Sequence, residues 1–346
     1  MRASFRHLAW EQLRHARLRA LLRAGSTALK LRLGRTPRAP LFVTLAVTYR
    51  CNHRCVMCNF PQRAERRFPS RERLQAVLNE FARRGSTAVG ITGGEPTLRP
   101  DLELIIRHAR SLGLIVHLNS NGSAFTWGRA RSLLAAGLAS INISLDGACA
   151  ETHDRLRRTP GSFARIVEGV ARLLLARKEV RARTAIRLVM ALARENAAEI
   201  EPFVELGARL RVNGMGFLPV HPLVASAGDP FDAREKAELE QRLSALLRGP
   251  HAHLIDNSAA YLAGIPPFLA GEETPERCSA PRSHVAIDPG LGAYACVPLM
   301  TVGRARLDAA LSDWNPAAAM RKIDPELCRR CWWNCHREVD IALGHL

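Results

Sequence analysis

From residue 41 onward, short apolar runs alternate with stretches that place an apolar residue at every third or fourth position. Leu41–Thr48, Thr87–Thr92, Leu114–Gly122, Ala139–Gly147, Thr184–Ala193 and Asn213–Pro219 read as strands. The intervening stretches, at about 70–84, 100–112, 126–136, 161–178 and 196–210, read as helices, and 232–247 as a further helix over the last strand. Strands alternating with helices predict parallel βα units. Six units predict an α/β fold, a partial (β/α)6 TIM-type barrel open on one side. Ligands of such a barrel collect at the C-terminal ends of its strands.

Three regions follow from this pattern: a basic helical segment at 1–39, the barrel at 40–250, and a loop-rich, Cys-rich module at 265–346. In the first, Phe5, Ala9, Leu13, Ala16 and Ala20 follow helical spacing and arginines break every apolar run. A secretory signal is therefore not expected. The chain has 346 residues and a net charge of +18, half of it in residues 1–39, where ten Lys and Arg face one acid, Glu11. Three readings of this helix stand: it packs on the barrel with a solvated basic face, it lies on an anionic membrane surface, or it is a transit peptide. The rest of the chain is only mildly basic, carries no nucleic-acid motif and has few aromatics, so no nucleic-acid partner is expected. No apolar run approaches the roughly 20 residues of a membrane span. The expected location is cytoplasmic, with peripheral contact at the inner face of the membrane through residues 1–35.

Nine cysteines change the picture: Cys51, Cys55, Cys58, Cys149, Cys278, Cys296, Cys328, Cys331 and Cys335. Without a secretory signal, clustered thiols point to metal or iron–sulfur ligation rather than disulfides. Cys51, Cys55 and Cys58 form a C-x3-C-x2-C loop directly after the first strand. Three thiolates can hold three irons of a [4Fe–4S] cube and leave the fourth open for substrate. Zinc is the competing reading, with His53 as fourth ligand. One βα unit later, Gly93-Gly94-Glu95-Pro96 follows the second strand, where two glycines permit close backbone approach and Pro96 stiffens the exit.

These residues together resemble the radical S-adenosylmethionine (radical SAM) superfamily over roughly residues 40–220. The resemblance implies that Cys51, Cys55 and Cys58 bind a catalytic [4Fe–4S] cluster whose open iron chelates SAM. It implies that Gly93, Gly94, Glu95 and Pro96 line the methionine amino group, and that Ser144 and Asp146 contact its ribose or methionine. Asn119 and Asn121 face the site from the third strand, and Arg187 is a candidate for the SAM carboxylate. Met57 departs from the family, which usually has an aromatic there. Cys149 reads as a buried or partly buried structural thiol, and His153 and Asp154 as the start of a loop edging the site.

The C-terminal cysteines resemble the shortened SPASM extension called twitch. Ala286–Cys296 reads as a hairpin turning at Asp288-Pro-Gly290. The resemblance implies one auxiliary [4Fe–4S] cluster, with Cys278, Cys296, Cys328 and Cys331 fitting the spacing and Cys335 a replacement or a spare. A four-cysteine zinc ribbon is the alternative. Trp332 and Trp333 are expected to shield the cluster or pack the module on the barrel.

The implied activity is reductive cleavage of SAM and hydrogen abstraction from substrate, with a flavodoxin or ferredoxin as reductase. The auxiliary cluster relays an electron or anchors substrate. Only a helix and linker precede Cys51, so a small-molecule or lipid-linked substrate is expected ahead of a ribosomal peptide. A non-catalytic iron–sulfur carrier is the reading from another class, opposed by the glycine-rich turn.

Overall fold

The computed structural model describes residues 18–60, 68–221, 229–274, 278–304, 306–307, 315, 321 and 323–344. The N-terminal half of the basic helix and most of the loop from His221 to Pro230 lie outside these. Every strand read from the sequence is present: β1 (Phe42–Ala46), β2 (Ala88–Thr92), β3 (Ile115–Ser120), β4 (Ser140–Ser144), β5 (Ala185–Leu192) and β6 (Gly214–Pro219). Each pairs in parallel with the next. The basic segment is helical over α1 (Leu18–Arg32). The connecting helices are α2 (Arg71–Arg84), α3 (Leu102–Ser111), α4 (Trp127–Ala135), α5 (Ala150–Arg157), α6 (Ser162–Glu179) and α7 (Ile200–Leu210), and α8 (Ala233–Leu246) follows β6.

Local chemistry marks the helix ends. Ser70 and Thr126 accept the amides of Arg73 and Arg129 at the starts of α2 and α4, and Asp232 with Glu235 forms a capping box on α8. Residues 150–157 form a helix where the sequence suggested a loop. His153 and Leu156 on it are buried, so tertiary packing stabilises a short segment of weak propensity.

Strand alternation divides the sheet into two faces. Leu45, Ile91, Leu118, Ile143 and Leu188 pack with Leu74, Phe81, Ile105 and Leu133 of the helices in one buried apolar cluster. The other face is polar. Thr44, Gly90, His117 and Ser140 align across four strands, and Asn119, Asn142, Arg187 and Gly214 across the next layer. This puts hydrogen-bonding groups inside the barrel and its apolar core outside.

The C-terminal segment joins the same sheet. After α9 (Ala259–Ala263) and α10 (Ile265–Leu269), β7 (His284–Ile287) pairs in parallel with the free edge of β1. β8 (Ala293–Tyr294) and β9 (Arg306–Leu307) follow antiparallel, with α11 (Val297–Val302) between them. The described strands thus form one sheet in the order β6-β5-β4-β3-β2-β1-β7-β8-β9. The hairpin matches the sequence reading; its addition to β1 does not follow from any local signal. The chain closes with α12 (Pro325–Arg329) and α13 (Asn334–Leu343), the latter packed against α1. Among the described residues, no helix is long and apolar enough to cross a membrane.

Candidate active site and second cysteine site

The loop after β1 and the turn after β2 are zipped together by main-chain bonds. Val47 N donates to Thr92 O (2.9 Å), Gly94 N to Thr48 O (2.8 Å) and Glu95 N to Arg50 O (2.8 Å). This approach requires both glycines. A Cβ on Gly93 would collide with the Thr48 carbonyl and one on Gly94 with the Arg50 carbonyl, and Gly93 has φ +135°. The turn therefore holds the chain that leads into Cys51.

Glu95 is fully buried, and its carboxylate points inward. It accepts from Thr97 N (2.9 Å), Thr97 Oγ1 (2.5 Å), Ser120 Oγ (2.8 Å) and Asn121 N (2.6 Å). Burial pushes its pKa up, against the pull of hydrogen bonds from Thr97, Asn121 and Ser120. Two of its donors are backbone N–H groups, which can only donate, so both carboxyl oxygens serve as acceptors. Glu95 thus fastens the turn to the end of β3, and only its main chain is left to face a ligand. Pro96 opens a buried 3-10 turn, Pro96–Leu98. Asn121 passes the connection on, donating through Nδ2 to Asn52 Oδ1 (2.7 Å) inside the cysteine loop, while Asn52 donates to Ser123 Oγ (2.9 Å).

The cysteine loop docks on the last turn of α5. Val56 N donates to Leu156 O (2.9 Å) and Arg54 N to Arg157 O (3.4 Å). The Arg157 side chain donates to Cys55 Sγ (3.5 Å) and pairs with Asp146 Oδ2 at 2.5 Å. Burial alone would push the guanidinium pKa down; the charges of Asp146 and Cys55 more than reverse it. Asp146 is fully buried, with Oδ1 taken by Ala191 N (2.9 Å). Both of its oxygens thus have partners within the protein.

His53 is buried, and the charges of Arg157, Arg165 and Asp154 act on its ring. Burial, helped by the two arginines, pushes its pKa down to about 4. His153 accepts from Asp146 N through Nδ1 (3.0 Å). Cys149 is exposed rather than buried, close to Glu199 (3.8 Å).

The remaining candidates divide by height in the barrel. Ser144 ends β4, beside Val189. Asn119 is exposed near the end of β3 and accepts from Asn142 Nδ2 (2.9 Å). Arg187, third residue of β5, is buried and pairs with Asp256 at 3.1 Å. It lies five residues below the end of its strand, and its charge is answered there, which suits an ion-pair partner rather than a SAM carboxylate contact.

Cys51, Cys55 and Cys58 are all half-buried in one loop, and the charges of Cys55 and Cys58 both act on Cys51. Burial pushes the free thiol of Cys51 up to about 12 and that of Cys58 to about 11. Iron binds the thiolate, so a cluster held by these thiols would release protons on loading. Three thiols at a strand end, with a glycine turn against them, fit a cube with one open iron.

The second site is a partly open pocket whose lining includes Cys278, Cys296, Cys328 and Cys331 with His336 and Arg337. Cys335 is not among its lining residues; its thiol lies beside Trp333. Helix α13 holds the segments of three of these cysteines, Cys278, Cys328 and Cys331. Arg337 is buried and donates to Cys331 O (3.0 Å), Cys328 O (3.5 Å) and Thr274 Oγ1 (3.2 Å). Asp340 accepts from Ser279 N (2.8 Å), next to Cys278. Asp288 closes the hairpin that presents Cys296, accepting from Gly292 N (2.7 Å) and the Tyr294 hydroxyl (3.0 Å). Burial pushes all four thiols up. Four thiols around one cavity beside a buried cation fit a fully ligated cube. Trp332 docks the module instead of covering a cluster, since its Nε1 donates to Tyr261 O (2.9 Å) and it accepts from the Tyr261 hydroxyl (3.1 Å).

Arg157, Asn52, Asn142, His336 and Arg337 were not singled out from the sequence. Fifty Lys and Arg leave no local signal to mark the two arginines that are buried beside cysteines. Asn52, lying inside the cysteine motif itself, was the one with a signal to follow.

Comparison with known proteins agrees with this geometry. The sequence profile of the Radical SAM superfamily matches residues 45–207. The mycofactocin maturase MftC of Mycobacterium tuberculosis is 29% identical over 318 residues, covering 85% of this chain and 75% of that protein. A probable GTP 3′,8-cyclase of Saccharolobus solfataricus is 30% identical over 227 residues, covering 64% of this chain and 70% of that protein. The fold matches Streptococcus suis SuiB bound to precursor peptide SuiA with a TM-score of 0.64 at 15% identity, covering 88% of this chain and 70% of that one. A cysteine loop and a glycine turn locked together at the strand ends of a partial barrel, joined to that profile, make this chain a member of the radical SAM superfamily.

Proposed function

We propose that this radical SAM enzyme modifies a peptide, with Cys51, Cys55 and Cys58 as ligands of its catalytic cluster and Cys278, Cys296, Cys328 and Cys331 as ligands of an auxiliary one. The cofactors of the enzyme are SAM, a catalytic [4Fe–4S] cluster and an auxiliary cluster. When reduced, the catalytic cluster supplies the electron that cleaves SAM to methionine and a 5′-deoxyadenosyl radical, which takes a hydrogen from substrate. In this reading the main chain of Gly93–Pro96 receives the methionine amino group, and Ser144 and Asn119 border the ligand from β4 and β3. Asp146 and Arg187 act through the residues they hold. Four thiols at the second site leave no coordination position for substrate, which favours electron acceptance over anchoring.

The observation that carries the peptide reading is the likeness to the mycofactocin maturase along most of both chains, together with 38% identity over 128 residues to the PqqA peptide cyclase of Rhodopseudomonas palustris. It moves the balance away from the small-molecule or lipid-linked substrate that the sequence favoured. The small-molecule reading keeps support from the cyclase relative, whose name gives GTP, and from the AdoMet-dependent heme synthase of Methanosarcina barkeri. Anaerobic incubation of the reduced enzyme with SAM and perdeuterated precursor peptides encoded beside its gene separates the two. Deuterium in 5′-deoxyadenosine and a mass change in one peptide are expected. Deuterium transfer from GTP instead, with none from peptides, refutes the peptide reading.

A peripheral membrane contact through α1 belongs to the same proposal. Leu22, Leu29 and Leu33 are 67%, 58% and 60% exposed, and their spacing of seven and four residues lines them up on one side. Leu31, on the opposite side, is fully buried. Arg23, Lys30 and Arg32 flank the exposed leucines, each worth roughly 1 kcal/mol at an anionic surface. The full-length protein should co-sediment with phosphatidylserine vesicles at low salt, and L29E/L33E should not. Equal sedimentation of the two proteins would rule this contact out.

A further inference from the structure

Arg157 is a buried cation placed between an acid and a sulfur. Its guanidinium reaches Asp146 Oδ2 at 2.5 Å and Cys55 Sγ at 3.5 Å, with its side chain 11% exposed. It cannot swing away. Asp146 is fixed by Ala191 N on its other oxygen and by His153, which accepts from the Asp146 amide. The carbonyls of Leu156 and Arg157 bind the amides of Val56 and Arg54, so the turn that carries the guanidinium also carries the loop that carries Cys55.

Such a pair has an electrostatic consequence. Hydrogen bonds and charge next to cluster sulfurs set reduction potential, because the reduced state holds one more negative charge than the oxidised state. A cation on a ligand thiolate favours the reduced state, and a carboxylate behind the cation weakens that preference. Charge-assisted bonds are also the stronger ones, so the same contact orients the thiolate.

We propose that Arg157 is a positioning residue of the catalytic cluster, holding the Cys55 thiolate and raising the cluster's reduction potential, with Asp146 moderating its charge. This rests on Cys51, Cys55 and Cys58 being the ligands of that cluster.

The test is an EPR-monitored redox titration of anaerobically reconstituted full-length protein, following the signal that changes when SAM is added. Arg157→Gln should shift the midpoint to lower potential, Asp146→Asn to higher potential, and Arg157→Lys should lie between Arg157→Gln and wild type. Midpoints unchanged in all three variants would overturn the proposal. A variant that fails to hold its cluster does not end the test. Wild-type protein labelled with 15N-arginine should show a 15N coupling to the reduced cluster by pulsed EPR, absent from labelled Arg157→Lys, and its absence in wild type would overturn the proposal equally. The C51A/C55A/C58A variant separates the two levels. Survival of the SAM-sensitive signal there refutes the ligand assignment, whereas its loss there with unmoved Arg157 variants refutes this inference alone.

Discussion

Replacing Glu95 by Gln tests whether the GGEP turn is held from inside. The carboxylate receives three donors on Oε1 and the Asn121 amide on Oε2 at 2.6 Å. Gln can keep its oxygen at the Oε1 position, which leaves its NH2 against the Asn121 N–H, donor facing donor. The lost charge-assisted bond is worth about 1.5–3 kcal/mol, and the orphaned buried amide costs about 1–3 kcal/mol. A neutral side chain no longer pays for burying a charge, which offsets part of that sum. The expected loss is about 2–4 kcal/mol, a large share of the usual 5–15 kcal/mol, so the variant folds but is weakened. The damage should spread along one path, because the displaced Asn121 also supports Asn52 in the cysteine loop. Urea unfolding of loaded protein should give a lower midpoint at unchanged slope. SAM cleavage, read as 5′-deoxyadenosine, should fall with it. If midpoint and cleavage both match wild type, the carboxylate is not the fastener described here.

Gly94→Ala should abolish SAM cleavage, because its Cβ would collide with the Arg50 carbonyl, whereas Gly128→Ala in α4, where nothing lies within 4 Å, should stabilise by roughly 0.5–1 kcal/mol; melting curves and 5′-deoxyadenosine yield check both. Cys335→Ala should keep about eight irons per chain, while Cys331→Ala should fall to about four by iron assay, since only Cys331 lines the second cavity. Acid should destabilise the fold through buried neutral histidines. Burial lowers His221 from 6.5 to about 4, so between these values the unfolded state binds the extra proton and stability falls as pH falls. His221→Asn should flatten that slope by up to about 1.4 kcal/mol per pH unit in urea titrations from pH 7 to pH 4.

The sequence by itself determined the elements and the motifs. A strand with one buried face repeats its apolar residues with period two, a covering helix with period three to four, and neither needs a distant partner to be read. The cysteine triad and GGEP are likewise contiguous, so their chemistry is visible before folding. Tertiary structure decided what contiguous spacing cannot carry. β7 adds to β1 across about 240 residues, and Thr44 meets His284 at 2.8 Å only because of that pairing. Which of the five cysteines line the second pocket depended on the packing: Cys331, ahead of α13, lines it, whereas Cys335 on α13 lies beside Trp333. For Arg187 and Asp146 the sequence left both readings open, because a charged residue in or after a strand looks the same whether it faces a ligand or a buried counter-charge. Burial and the position of Asp256 and Arg157 distinguish the two cases, and both are properties of the assembled barrel.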